Sequence, residues 1–149
     1  MRRALPFCAF LFLACGGGGK SPAADSAAVA AVPSLSLADL TGKWTQSTTP
    51  EGSDTVVTTE LNFTGDPSGW TMTVMGRPAA PTRVTVDGDS VMMTAGPFES
   101  VLRKGVQVTT NNVSRLVEGK LVGHTVAHYS GVASADSVRQ LRTVATRTP

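Results

Sequence analysis

The stretch Leu40-Thr41-Gly42-Lys43-Trp44-Thr45-Gln46-Ser47-Thr48 decides how the rest of the chain is read. A glycine, one spacer and a tryptophan open it, and small closed β-barrels often begin their first strand in this way. From Lys43 onward Trp44, Gln46 and Thr48 share one face of an extended chain, because side chains alternate across a strand. The strand is expected over about 43–49 and ends at the turn Pro50-Glu51-Gly52-Ser53-Asp54.

Downstream, strand-like runs follow one another with turn residues between them. The second, about 55–64, puts Val57, Thr59, Leu61 and Phe63 on one face and Val56, Thr58, Glu60 and Asn62 on the other. Period two with one apolar face marks a half-buried antiparallel strand. The third carries Trp70, Met72 and Val74, and the fourth, about 82–87, carries Val84 and Val86. Asp87-Gly88-Asp89 signals a tight hairpin. A fifth run holds Val91, Met93 and Ala95, and Phe98–Arg103 is read as its continuation after a bend. The sixth, about 106–117, changes phase: Val106 and Val108 fall on one face, Val113 and Val117 on the other. That pattern predicts a β-bulge at Thr109–Asn112. Strands over Leu121–Ser130 and Val138–Arg147 complete the set.

Composition agrees with this class. The 149 residues suffice for one domain. They include 19 Thr and 18 Val, β-branched residues that pack well on a pleated surface. The expectation is an all-β fold over 34–149. Eight antiparallel runs fit a sandwich or a barrel, and their uniform meander favours an eight-stranded up-and-down barrel, which also removes exposed edges. Upstream, Leu35, Leu37 and Leu40 are read as a short cap at one barrel end.

The N-terminus reads as an address. Met1-Arg2-Arg3 is a basic n-region, and Leu5–Ala14 is an apolar stretch half as long as a membrane span requires. Leu11-Phe12-Leu13-Ala14-Cys15 resembles the lipobox of bacterial lipoproteins, although Phe12 stands where leucine is usual. The resemblance implies a signal peptide over 1–14, cleavage before Cys15 and a lipid on that cysteine. Gly16 rather than aspartate follows, which by the same resemblance points to the outer membrane's periplasmic face. Residues 15–33, beginning Cys15-Gly16-Gly17-Gly18-Gly19 and rich in alanine, read as a disordered tether. Cys8 belongs to the removed segment, so no disulfide is expected. Without Arg2 and Arg3, 11 basic residues balance 11 acidic ones, which leaves no electrostatic footprint for nucleic acid.

Gly42-Lys43-Trp44 and the eight alternating runs together resemble the lipocalin and avidin barrels of the calycin superfamily. The resemblance implies barrel closure at Gly42 and Trp44, with a last-strand arginine stacked across the tryptophan. Arg147 is preferred for that role and Arg142 is the alternative. The family's disulfide and C-terminal helix have no counterpart here.

No catalytic constellation stands out. Ser, His and Asp occur, but no nucleophile motif frames a serine; the expectation is a non-enzymatic protein. His124 and His128 lie four residues apart, roughly 13 Å along a strand, too far to share one metal ion, and neither metal nor cofactor is expected. Glu60 and Glu99 form a pair only if the fold brings them together. Trp44, Leu61, Phe63, Trp70, Met72 and Met93 are expected inside, either as plain core or as the lining of a cavity. In the second case Gln46, Thr48 and Thr59 supply its polar contacts. Arg77, Arg83 and Arg103 are rim candidates for an anionic ligand. The leading functional reading is an envelope lipoprotein whose barrel binds a small hydrophobic or amphipathic molecule. The alternative is a filled barrel serving as a protein-interaction or inhibitor module.

Overall fold

In the computed structural model, which describes residues 34–149, the alternating runs become eight strands: β1 Gly42–Pro50, β2 Val57–Phe63, β3 Thr71–Val74, β4 Ala80–Asp87, β5 Ser90–Glu99, β6 Gln107–Val117, β7 Lys120–Tyr129 and β8 Val138–Arg147. The segments assigned above to a signal peptide and tether, with Cys15, lie outside the described residues. Each strand pairs antiparallel with the next, and β1 pairs with β8, Trp44 opposite Arg147, so the sheet closes into a barrel rather than a sandwich. Closure leaves no strand without a neighbour on either side.

The seam between β3 and β4 is the thinnest, with two partner pairs, Thr71↔Pro81 and Met72↔Ala80. Trp70 lies just before β3, at the end of a 3-10 turn over Pro67–Gly69, and its ring stacks on Phe63 with centroids 4.6 Å apart. Strand β5 stops at Glu99, and the chain from Ser100 to Val106 turns back over the barrel instead of extending it.

The bulge expected in the sixth strand is not there. Pairing of β6 with β7 runs unbroken from Val108↔Tyr129 to Val117↔Lys120. Val108, Asn112 and Ser114 are buried on one continuous inward face, and Val113 and Val117 are exposed outside. The register shift instead falls on the neighbouring strand, between Ala95 and Phe98 at Gly96-Pro97. The phase of the valines misleads because the interior half of β6 is polar and fully hydrogen-bonded. Its buried groups therefore carry no unpaired-group penalty.

Two apolar clusters fill the barrel. The larger includes Leu40, Trp44, Leu61, Phe63, Trp70 and Met93, and occupies the end where the chain enters. The smaller, Val108, Ala127, Tyr129 and Leu141 with Leu102 and Val106 packed on it, lies at the opposite end, beneath the returning loop.

Candidate ligand-binding site

The chain-entry end is sealed by side chains from the first and last strands and the turn that precedes the first of them. A single helical turn, α1 (Leu37–Leu40), crosses it, and Leu40 is fully buried. A helix terminus leaves its last carbonyls without partners. Trp44 Nε1 donates to Leu40 O at 2.8 Å, Arg147 Nη1 donates to Thr41 O at 2.7 Å, and Arg147 Nη2 donates to Asp39 O. The same guanidinium lies 4.5 Å from the centre of the Trp44 ring. Gly42 has φ +131°, and a Cβ there would sit 3.0 Å from Arg147 Nη1. Only glycine suits both that backbone and that space. Asp39 accepts from the Ser36 hydroxyl and N–H at 2.7 and 2.8 Å, and these bonds hold its carboxyl below the usual carboxylate range. Arg142 is outside, paired with His124 and Thr49 on the ladder.

At the opposite end the loop 100–106 covers the mouth. The Ser100 hydroxyl accepts from Leu102 N and Arg103 N, each at 3.1 Å, which folds the loop tightly. Two arginines tie it to neighbouring loops. Arg77 meets Glu99 at 3.3 Å, and Arg103 reaches Asp136 O at 2.8 Å and its carboxylate at 3.5 Å while lying 4.5 Å over the Tyr129 ring. The Gly105 N–H and then Arg77 hold the Glu99 carboxyl below its ordinary value. Both rim arginines are thus engaged with carboxylates, and Arg83 is exposed on β4. Glu60 sits on the outer face of β2 and does not meet Glu99.

Between plug and lid lies an interior space of ≈ 70 Å³. Its walls differ. Strands β2, β1, β7 and β6 present Thr59, Gln46 and Thr48, Thr125, and Asn112 as a polar arc, which continues beyond the space to the buried Thr143 of β8 and Ser114 of β6; β3 and β5 present Met72, Val74, Met93 and Ala95. Half of the arc is closed on itself. Ser114 donates to Asn112 Oδ1 at 2.7 Å, Asn112 Nδ2 donates to Thr125 Oγ1 at 3.0 Å, and Thr125 and Thr143 share a 2.7 Å hydroxyl pair. The other half is not. Gln46 and Thr59 are directly paired across the ladder, and the one side-chain bond among them and Thr48 runs from Gln46 Nε2 to Thr48 Oγ1 at 3.2 Å. These three are 6, 4 and 7% exposed in the order Gln46, Thr59, Thr48, and all line the space. No fully enclosed side-chain polar atom among the described residues lacks a partner. The spare atoms of this trio therefore border the space itself.

Of the residues read as a cavity lining, Gln46, Thr59, Met72 and Met93 do line it, as does Thr48. Trp44, Leu61, Phe63 and Trp70 do not: they are packed into the sealed end, where Trp70 Nε1 donates to Thr64 O at 2.6 Å. Their size suits them to plug the narrowing barrel, and neither indole touches the space. Sequence reading missed the lid residues Ser100–Leu102 and the polar pair Asn112–Thr125; the alternation of β6 held the only signal for the latter. Among the described residues no three His, Cys, Asp or Glu side chains converge, and His124 and His128 both point outward. A larger hollow of ≈ 360 Å³ on the outside of β1–β3, edged by Lys43, Glu60 and Asn62, is open to solvent. Compared with known protein families, with curated proteins and with solved structures, the chain finds no match in any of the three. The barrel and its closure are compatible with a calycin-like fold, on topology and residues alone.

Proposed function

We propose that this chain is an exported, lipid-anchored barrel that binds a small amphipathic molecule in its interior. The observation that carries the reading is the interior space itself, where buried polar atoms with unused hydrogen-bonding capacity face a methionine wall. Methionine adapts its shape to an occupant more readily than branched side chains do. The ≈ 70 Å³ is well short of the roughly 300–1,000 Å³ of pockets for drug-sized ligands. The occupant is therefore short, or reaches out through the mouth past the loop 100–106.

Met72→Trp tests the reading, because it drives an indole into that space. In a screen of neutral and charged amphipaths, a ligand should raise the melting temperature of the unsubstituted protein in step with ln(1 + [L]/Kd). Met72→Trp should still melt cooperatively and should show no shift. A screen without any shift would remove the binding reading and favour the second one, a protein-interaction module. The outer face gives that alternative its own support, since Met92 pairs with Val113 and Val122 with Val144, all four exposed.

Anchoring rests on the Leu11–Cys15 segment and is tested separately. Cys15→Ser should move the protein from the membrane to the soluble fraction and lower its mass by the lost acyl groups. A variant that stays with the membrane at unchanged mass overturns the anchor and leaves the barrel reading intact.

A further inference from the structure

Resting on that reading, we infer that the interior selects an uncharged, single-headed amphipath whose hydroxyl or amide head bonds to Gln46 and Thr59, and that it rejects carboxylate and ammonium heads. Among the described residues every buried polar side chain of the barrel is neutral, and none of those lining the space is Asp, Glu, His, Lys or Arg. An ionised head brought there would lose its hydration without meeting a counter-charge, which is strongly unfavourable. The arginines nearest the mouth offer no help, because Arg77 and Arg103 are paired with Glu99 and Asp136 outside it.

The chemistry of the trio matches a neutral head. Gln46 Oε1 is an acceptor without a donor among the described residues, and its Nε2 uses one hydrogen on Thr48. The Thr59 hydroxyl, its ladder partner, can donate or accept. A ligand hydroxyl placed between them donates to Gln46 Oε1 and accepts from Thr59 Oγ1, and an amide does the same with its N–H and carbonyl. From that point toward the mouth the lining is Val57, Phe98, Val101 and Leu102 beside Thr48 and Ser100, whose hydroxyls already accept from Gln46 Nε2 and from Leu102 N and Arg103 N. Just outside, Val56, Met75 and Val101 are 56, 76 and 40% exposed. The polar head is thus assigned to the interior, and the alkyl tail to the mouth and its rim.

The test compares hexanol, hexanamide, hexanoate and hexylammonium at neutral pH by calorimetry, on the full chain prepared without alkyl detergent. These probes share a tail, so the head alone varies. Hexanol and hexanamide should bind at least about tenfold more tightly than either ion. Thr59→Val keeps the shape of the side chain, and Gln46→Leu nearly keeps its volume. Each should weaken hexanol by roughly three- to tenfold, the loss expected for one hydrogen bond, with the melting temperature of the free protein little changed. Hexanoate binding as tightly as hexanol, and losing affinity in Arg77→Ala rather than Gln46→Leu, would overturn the inference while leaving an amphipath-binding barrel. Hexanol affinity indifferent to both Thr59→Val and Gln46→Leu would also overturn it. If none of the four binds, and the wider screen is equally silent, the pocket reading falls along with it.

Discussion

Trp44→Ala should destabilise the barrel by about 3–5 kcal/mol, the range for truncating a buried aromatic residue. The indole is fully buried, and its loss opens a void where the two ends of the strand set meet. It also strands the Leu40 carbonyl that Nε1 satisfies. Trp44→Phe separates these effects, because it keeps much of the volume and removes the N–H, and should cost about 1–2 kcal/mol. Arg147→Ala should cost about 1 kcal/mol, since the guanidinium is exposed and exposed cation–π contacts contribute about 0.5–1 kcal/mol. The double variant should fall short of the sum by about 0.5 kcal/mol or more, because the two groups touch. Denaturant midpoints measured on the parent and the four variants give the answer. Additive losses would show that Arg147 does not brace the tryptophan.

Gly123→Ala should be the most damaging change by a single methyl group. A Cβ at this position would run into Val113 O and sit 2.6 Å from Ser114 Cα, both backbone atoms of β6. No side-chain rotation relieves such a contact, so β6 and β7 must move apart at the Ser114↔Gly123 pair. Overpacking typically costs about 1–3 kcal/mol, and a backbone clash places this variant at or above the upper end. The displaced segment carries Ser114 and Asn112, so the interior polar chain loses its alignment as well. Gly65→Ala is the control, because a methyl group there meets nothing within 4 Å. Its denaturant midpoint should match that of the parent. A Gly123→Ala midpoint within about 0.5 kcal/mol of the parent, the scatter of neutral surface changes, would mean that the strands are not so close.

What the sequence alone determined is the list of strands, their order and, except after β5, where they turn. Each of these is a local property. Alternation in Val57–Phe63 specifies a strand whatever lies next to it, and Asp87-Gly88 specifies a hairpin through its own backbone preferences. Gly42-Lys43-Trp44 was equally legible, because an isolated tryptophan at the start of a β-rich chain must be buried somewhere near that end.

Which face of β6 points inward was decided only by closure. Valines lie on both of its faces, and period two tells faces apart without saying which is inside. The barrel chose the face of Asn112 and Ser114 because Thr125, from the next strand, arrives to accept from Asn112 Nδ2 and is itself paired with Thr143 of the last strand. The lining of the candidate site was half legible for the same reason. Gln46, Thr59, Met72 and Met93 are inward by alternation alone. Height along the barrel axis, which sets Trp44 and Trp70 in the plug and Met72 in the space, depends on the stagger between strands. The lid is less local still: Arg77 and Glu99, and likewise Arg103 and Asp136, are distant in sequence and meet only once eight strands have closed around a common axis.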